Sequence, residues 1–266
     1  MVTLAIAMSI DLTKLLQDWP YEPGQINVRL ISGDDGEPKI QMRLDLGVLQ
    51  MEATGRPDGV RPNGCESLLE YHESRFEHGP GESEAEGDLP ADADAEPASL
   101  SEEDCRLLRE EAVQYYHRYI SLLVLADYDG VIRDTARNLR VLDLCRAHAE
   151  SEEDRAVLEQ FRPYITMMRM RAIASQMVND NEPKAALFMI DEGLDQIRKQ
   201  YDEMGRAAEY DESSEVQLLR GMRDELATKL PASQKHELRE RLRRAIEAEN
   251  YELAAILRDE LKMMKE

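Results

Sequence analysis

Hydrophobic and polar side chains change their period once along the chain. At first the period is two. Ile26, Val28 and Leu30 alternate with Asn27 and Arg29, and beyond Gly33-Asp34-Asp35-Gly36 the residues Ile40, Met42, Leu44 and Leu46 alternate with Lys39, Gln41, Arg43 and Asp45. This alternation predicts a β-hairpin with one buried face. Past Gly47 the apolar phase moves to Leu49, Met51 and Ala53, which fits a bulge or a third strand. Turn signals follow at Arg56-Pro57-Asp58-Gly59 and Arg61-Pro62-Asn63-Gly64, and Leu68, Leu69, Tyr71, His72 and Phe76 fit a short amphipathic helix. Residues 1–76 therefore read as a small β-rich meander closed by a helix. At about 70 residues such a unit is marginal alone and calls for a partner surface.

From Ser101 onward the period is 3.6. Ser101, with Asp104 three residues on, resembles a capping box. Leu107, Leu108, Val113, Tyr116, Ile120, Leu123 and Val124 then mark one helix, which Asp127-Tyr128-Asp129-Gly130 ends. A second runs from Val131 to Leu144. Ser151-Glu152-Glu153-Asp154 caps a third, expected to run unbroken through Leu158, Phe161 and Ile165 to Met177. Asn179 to Glu182 break it, and Pro183 opens a fourth helix that reaches about Met204. A fifth spans about Glu215 to Leu230, and Pro231 ends it. Ala186, Ile190 and Gly193 make a small-residue face on the fourth. Met167, Met168 and Met170 read as helical core.

The acidic breaks at Asp127–Gly130, Asp180–Pro183 and Glu249–Asn250 give three helical hairpins of one form, which resembles a degenerate tetratricopeptide stack. The spacings Val131 to Ala186 and Ala186 to Ala254 are unequal and exceed the ~34 residues of that repeat. An antiparallel helical bundle buries the same faces, so both architectures stay open.

Charge changes the picture in one place. Lys plus Arg is 33 and Asp plus Glu is 55, a net charge of −22, and eleven of the acids fall between Phe76 and Asp104, where there is no Lys or Arg. The domain division that follows is 1–76, a β-rich unit; 77–100, an acidic disordered linker; 101–230, helical hairpins; and 231–266, a terminal hairpin. Residues 1–7 precede a second Met at position 8 and are expected to be a start-site extension. They lack the basic region of a secretory signal. So acidic a surface repels phosphate and argues against non-specific DNA, RNA or anionic-membrane binding. Aromatics are 5% and Met reaches 13, which favours helix packing over an all-β sandwich. The fold class is α+β, mainly α. Cys65, Cys105 and Cys145 are scattered and odd in number, so a cytoplasmic protein without disulfide framework or zinc site is expected.

The terminal hairpin carries the most specific pattern. Leu238, Leu242 and Ala245 form a stripe, Glu249-Asn250 a turn, and Tyr251-Glu252-Leu253-Ala254-Ala255 opens a return helix closed by Arg258-Asp259 and Leu261. This resembles the UVR motif, the helical hairpin at the end of the UvrB helicase subunit and inside the UvrC nuclease subunit of bacterial excision repair. The motif also occurs in the activator of a bacterial protein-arginine kinase and in some Clp ATPases. The resemblance covers residues 234–266 and implies a protein-binding module made of Leu238, Leu242, Ala245, Tyr251, Glu252, Ala254, Ala255, Arg258, Asp259 and Leu261. In the family this hairpin pairs with its like or with a homologous hairpin. The expected partner is thus a protein carrying a UVR-like hairpin, or a second copy of this chain. Read physically, Ala254 and Ala255 leave room for a facing helix, Tyr251 plugs the hairpin base, and Arg258 reaches Glu249 or Glu252.

Several chemistries find no support. There is no G-x-x-x-x-G-K-[ST] for a nucleotide engine. His236-Glu237 begins like a zinc-protease motif, but residue 240 is Glu and no second His follows. The kinase activator's zinc-binding cysteine pairs are missing. His72, His78, His117 and His148 stand apart from any candidate nucleophile, and acid pairs such as Glu110/Glu111 carry no weight in so acidic a chain. A weaker reading places an enzyme site around Arg56, Asp58, Arg61 and Asn63, residues that turn chemistry explains more simply. The expectation is a non-enzymatic cytosolic adaptor, without cofactor or metal, that associates through its terminal hairpin. The alternative is an accessory factor of bacterial nucleotide excision repair recruited by the same hairpin. Its one local candidate for DNA contact is Arg239, Arg241, Arg243 and Arg244.

Overall fold

The computed structural model describes residues 11–78, 99–229, 234–248 and 250–263. These form two compact units, divided between Leu219 and Arg220. Of the expected acidic linker (77–100), residues 79–98 lie outside the described residues, as do the proposed start-site extension and Pro231. The linker's two ends are ordered instead, Glu77 and His78 being helical and Leu100 fully buried in a bridge to Ala149. The fold is mainly helical, with one small antiparallel sheet near the N-terminus.

The first unit opens with a short helix, α1 (Thr13–Asp18), and a three-stranded sheet, β1 (Val28–Ser32), β2 (Pro38–Leu44) and β3 (Gly47–Glu52), in sequential order. Leu30 pairs with Ile40, and Ile40 with Met51, so the alternating apolar residues share one face. Ile40, Met42 and Met51 on that face are buried. The sequence predicts a polar, solvated opposite face; Lys39, Gln41 and Arg43 are buried as well. A cross-strand polar ladder makes this tolerable. Lys39 Nζ sits 2.7 Å from Asp35 and 2.6 Å from Glu52, and Gln41 accepts from Arg29 Nε and donates to Gln50, each at 2.8 Å. Arg43 Nε donates to the Trp19 carbonyl at 2.6 Å, and the Arg29 guanidinium lies 4.2 Å from the centre of the Trp19 ring. Residues just after α1 thus cover a face that the alternation leaves open.

The helical part follows from α2 (Leu68–His78) through α3 (Glu102–Val124), α4 (Tyr128–His148), α5 (Glu152–Ala156), α6 (Arg162–Asn179), α7 (Pro183–Glu203) and α8 (Ser214–Lys229). The Ser101–Asp104 capping box is present, and Ser151 caps α5 through the Asp154 N–H. The third helix is not continuous. Its pattern breaks into α5, a 3₁₀ turn at Glu159–Phe161, and α6. Pro163 is the reason: it has no N–H to bond back and fits only a helix's first turn. Consecutive long helices pack on each other, α3 on α4, α4 on α6, and α6 on α7. Met167, Met168 and Met170 are buried, as are Ala186, Ile190 and Gly193 on α7.

The partner surface that the β-rich segment calls for is this helical body. Leu68 and Leu69 of α2 share a buried cluster with Leu108 of α3 and Val141 and Leu142 of α4. Arg118 on α3 donates to the carbonyls of Glu52 (3.1 Å) and Gly55 (2.7 Å), and Arg133 on α4 to that of Ala53. Sheet and body are therefore parts of one compact unit.

The second unit begins within α8, at Arg220, and contains α9 (Gln234–Glu247) and α10 (Tyr251–Met263), which pack on each other as a hairpin. Among the described residues no helix is long and apolar enough to cross a membrane.

Candidate functional site: the C-terminal hairpin

The hairpin is built by its turn. The Asn250 N–H donates to the Ala245 carbonyl at 2.9 Å, closing the end of α9. The Asn250 side-chain oxygen accepts from the Leu253 N–H at 3.1 Å, an N-cap for α10. Asn250 therefore ends one helix and starts the next, a signal readable in the sequence as an Asn just before an apolar-periodic run.

Between the helices, Ala245, Ala254 and Leu257 are buried together, with Leu242 packed at their edge. The small side chains on facing positions let the two helix axes come close. Here the structure separates two alanines that the sequence treats alike. Ala254 faces the sister helix and is 9% exposed, whereas Ala255 is exposed. Tyr251 is 69% exposed, so it does not plug the hairpin base; it opens α10 on the outside of the turn. Ile246 (53%) and Ile256 (59%) are likewise outside, one on each helix, and Leu253 is exposed beside them. The interior is thus filled by the hairpin's own residues, and an apolar set remains on its exterior.

The remaining residues of the expected set are placed only in part. Leu238 lies on α9, and Glu252, Asp259 and Leu261 lie on α10; their side chains fall outside the described residues, as does Glu249. Arg258 is exposed. Of the basic stripe, Arg241, Arg243 and Arg244 are exposed, and the Arg243 Nε lies 3.9 Å from Glu247.

The N-terminal candidates resolve into turn and docking chemistry. Asp58 accepts from the Val60 N–H and from Gln114, and Asn63 sits in the left-handed region at φ 51°. Arg56 pairs with Asp58 at 3.1 Å and with the fully buried carboxylate of Glu111 at 2.9 Å. That carboxylate also accepts the N–H groups of Leu68 (2.9 Å) and Leu69 (3.3 Å) at the start of α2, and a bond from Arg137. Glu111, indistinct in the sequence among so many acids, is the group that pins α2 to α3 and α4. Cys105 and Cys145 are buried in the same core, and burial pushes the Cys145 thiol up to about 12. A thiol so buried is a poor nucleophile. Among the described residues, no three His, Cys, Asp or Glu side chains gather as a metal site would require.

With this geometry in place, the comparisons bear on one segment. A family model described as the UvrB/uvrC motif, UVR, matches residues 232–266, the span of α9 and α10. No curated protein and no solved structure matches the chain.

Proposed function

We propose that the protein is a non-enzymatic cytoplasmic adaptor that associates with a protein partner through the exterior of its C-terminal hairpin. The partner is a second UVR-like hairpin, in another protein or in another copy of this chain. The observation that carries this reading is the division of apolar residues in the hairpin. Its interior is closed by Ala245, Ala254 and Leu257, yet Ile246, Tyr251 and Ile256 remain exposed. Two helices of this length bury little apolar surface alone, and pairing with a second hairpin covers the exposed set in a four-helix arrangement. The match to the UvrB/uvrC motif at the same residues supports a contact module of this kind.

The name of the matched family also favours a second reading, in which the same hairpin recruits the chain to bacterial excision repair. The two separate by experiment. Full-length protein, wild type and Ile256→Glu, is used as bait, and captured proteins are identified by mass spectrometry. The adaptor reading expects a hairpin-bearing partner or self-association that Ile256→Glu removes. Retention of every partner by the Ile256→Glu protein overturns it. Capture of excision-repair subunits, lost in the variant, selects the second reading.

A further inference from the structure

The break of the third helix into α5 and α6 leaves a cavity of about 570 Å³ in the helical body, between α3 and the α5–α6 elbow. We propose that this cavity is a binding site for one uncharged, mainly apolar small molecule. It is independent of the hairpin and of the function proposed for it.

Three features of the cavity define the ligand. Its volume lies within the ~300–1,000 Å³ of small-molecule sites. Its floor is deep: Tyr119, Leu142 and Ile165 line it and are 1%, 2% and 5% exposed. Its mouth is apolar and open, flanked by Val113 at 52% and Phe161 at 50% exposure. Tyrosine rings supply flat walls, Tyr116 lying 5.5 Å from Tyr119, edge to face, and 6.2 Å from Tyr164. Such rings accept a planar or alkyl body without demanding a polar partner.

The charged side chain of the wall, Arg109, is already paired and Asn138 is bonded within the fold, which disfavours a charged ligand. Arg109 lies 2.5 Å from Asp154, whose carboxylate also accepts the Ser151 hydroxyl at 2.8 Å. Asn138 donates to the Ala112 carbonyl at 2.9 Å and accepts from Arg137 at 3.1 Å. His117 is held below its ordinary pKa by burial and is neutral at pH 7. A carboxylate or ammonium entering here would be desolvated without a free counter-charge. A flat partner surface would meet the mouth but not the floor, so a compact molecule fits better than a protein face.

The test uses two fluorescent probes with one ring system, neutral N-phenyl-1-naphthylamine and anionic 8-anilinonaphthalene-1-sulfonate, titrated into full-length protein. The neutral probe is expected to bind saturably, one per chain, and on the order of tenfold or more tighter than the sulfonate. Val113→Trp, which fills the mouth, should weaken the neutral probe by a similar factor, while Ile256→Glu on the hairpin should leave it unchanged. If Val113→Trp lowers the thermal midpoint, Phe161→Asp, a charge at the exposed mouth, is expected to give the same loss. Non-saturable binding, equal affinity for both probes, or binding removed by Ile256→Glu instead overturns the proposal.

Discussion

Individual side chains do two kinds of work in this molecule. Arg118 and Asp134 are each about 1% exposed and joined by two bonds of 2.7 and 2.9 Å, and the same guanidinium holds two carbonyls of the β-rich segment. Removing one member of such a pair leaves the other buried and uncompensated. Asp134→Ala is therefore expected to cost about 3–5 kcal/mol, read as a fall in the denaturant midpoint. Histidines give a pH dependence of definite sign. His72, between Asp104 at 3.8 Å and Arg75 at 3.4 Å, is held below its ordinary pKa mainly by burial, and so is His117. Both take up protons more readily unfolded than folded. Their contribution is thus fully present above the unfolded pKa of about 6.5 and is lost as pH falls toward the folded values. Thermal midpoints should drop between pH 7.5 and 5.5, and the drop should shrink in a His72→Gln, His117→Gln double variant. An unchanged slope in that variant would assign the acid sensitivity to other groups.

At the scale of elements, close approach is as decisive as hydrophobicity. A side-chain carbon on Gly193 of α7 would lie 2.7 and 2.9 Å from Met170 Cγ and Cβ on α6, atoms fixed near the backbone and unable to swing away. Gly193→Val should then destabilise by roughly 1–3 kcal/mol, although the position is helical and a glycine there has an intrinsic cost. Calorimetry measures it; a neutral or stabilising result would show that α6 and α7 can separate freely. This face was legible as Ala186, Ile190 and Gly193, because helical period and side-chain size both report on packing. Helix starts were legible at the Ser101 and Ser151 caps, but Asp127, read as part of a break before Val131, is the N-cap of a helix that begins at Tyr128. The elbow after α5 was not legible, because apolar residues keep a helical period on either side of Pro163 while the backbone does not. Nor was the buried polar face of β2, since alternation records which residues are apolar and not what lies above the polar ones. The same limit hid the difference between Ala254 and Ala255: adjacent identical residues can point inward and outward, and only the register of α9 against α10 decides which.

For the whole molecule, the consequence is a compact body of sheet and helices and a separate hairpin, each with its own core. Deleting residues 231–266 should leave the thermal transition of the body in place, because the body has a buried cluster of its own around Leu69, Leu108 and Leu142. Within the hairpin the two alanines predict opposite failures. Ala254 lies against Ala245 inside a cluster of only a few side chains, so Ala254→Arg forces a guanidinium between the helices, and a unit this small has little stability to oppose it. It should lose hairpin helicity and association together. Ala255 is exposed, so Ala255→Arg should leave the hairpin folded and weaken only association, as a charge set beside the apolar exterior opposes its burial against a partner. Amide exchange over residues 234–263 reports the fold, and sedimentation or co-purification reports association. If Ala255→Arg protein associates as fully as wild type while Ala254→Arg does not, the exterior is not the contact surface. The hairpin then serves partners only through its shape as a folded unit.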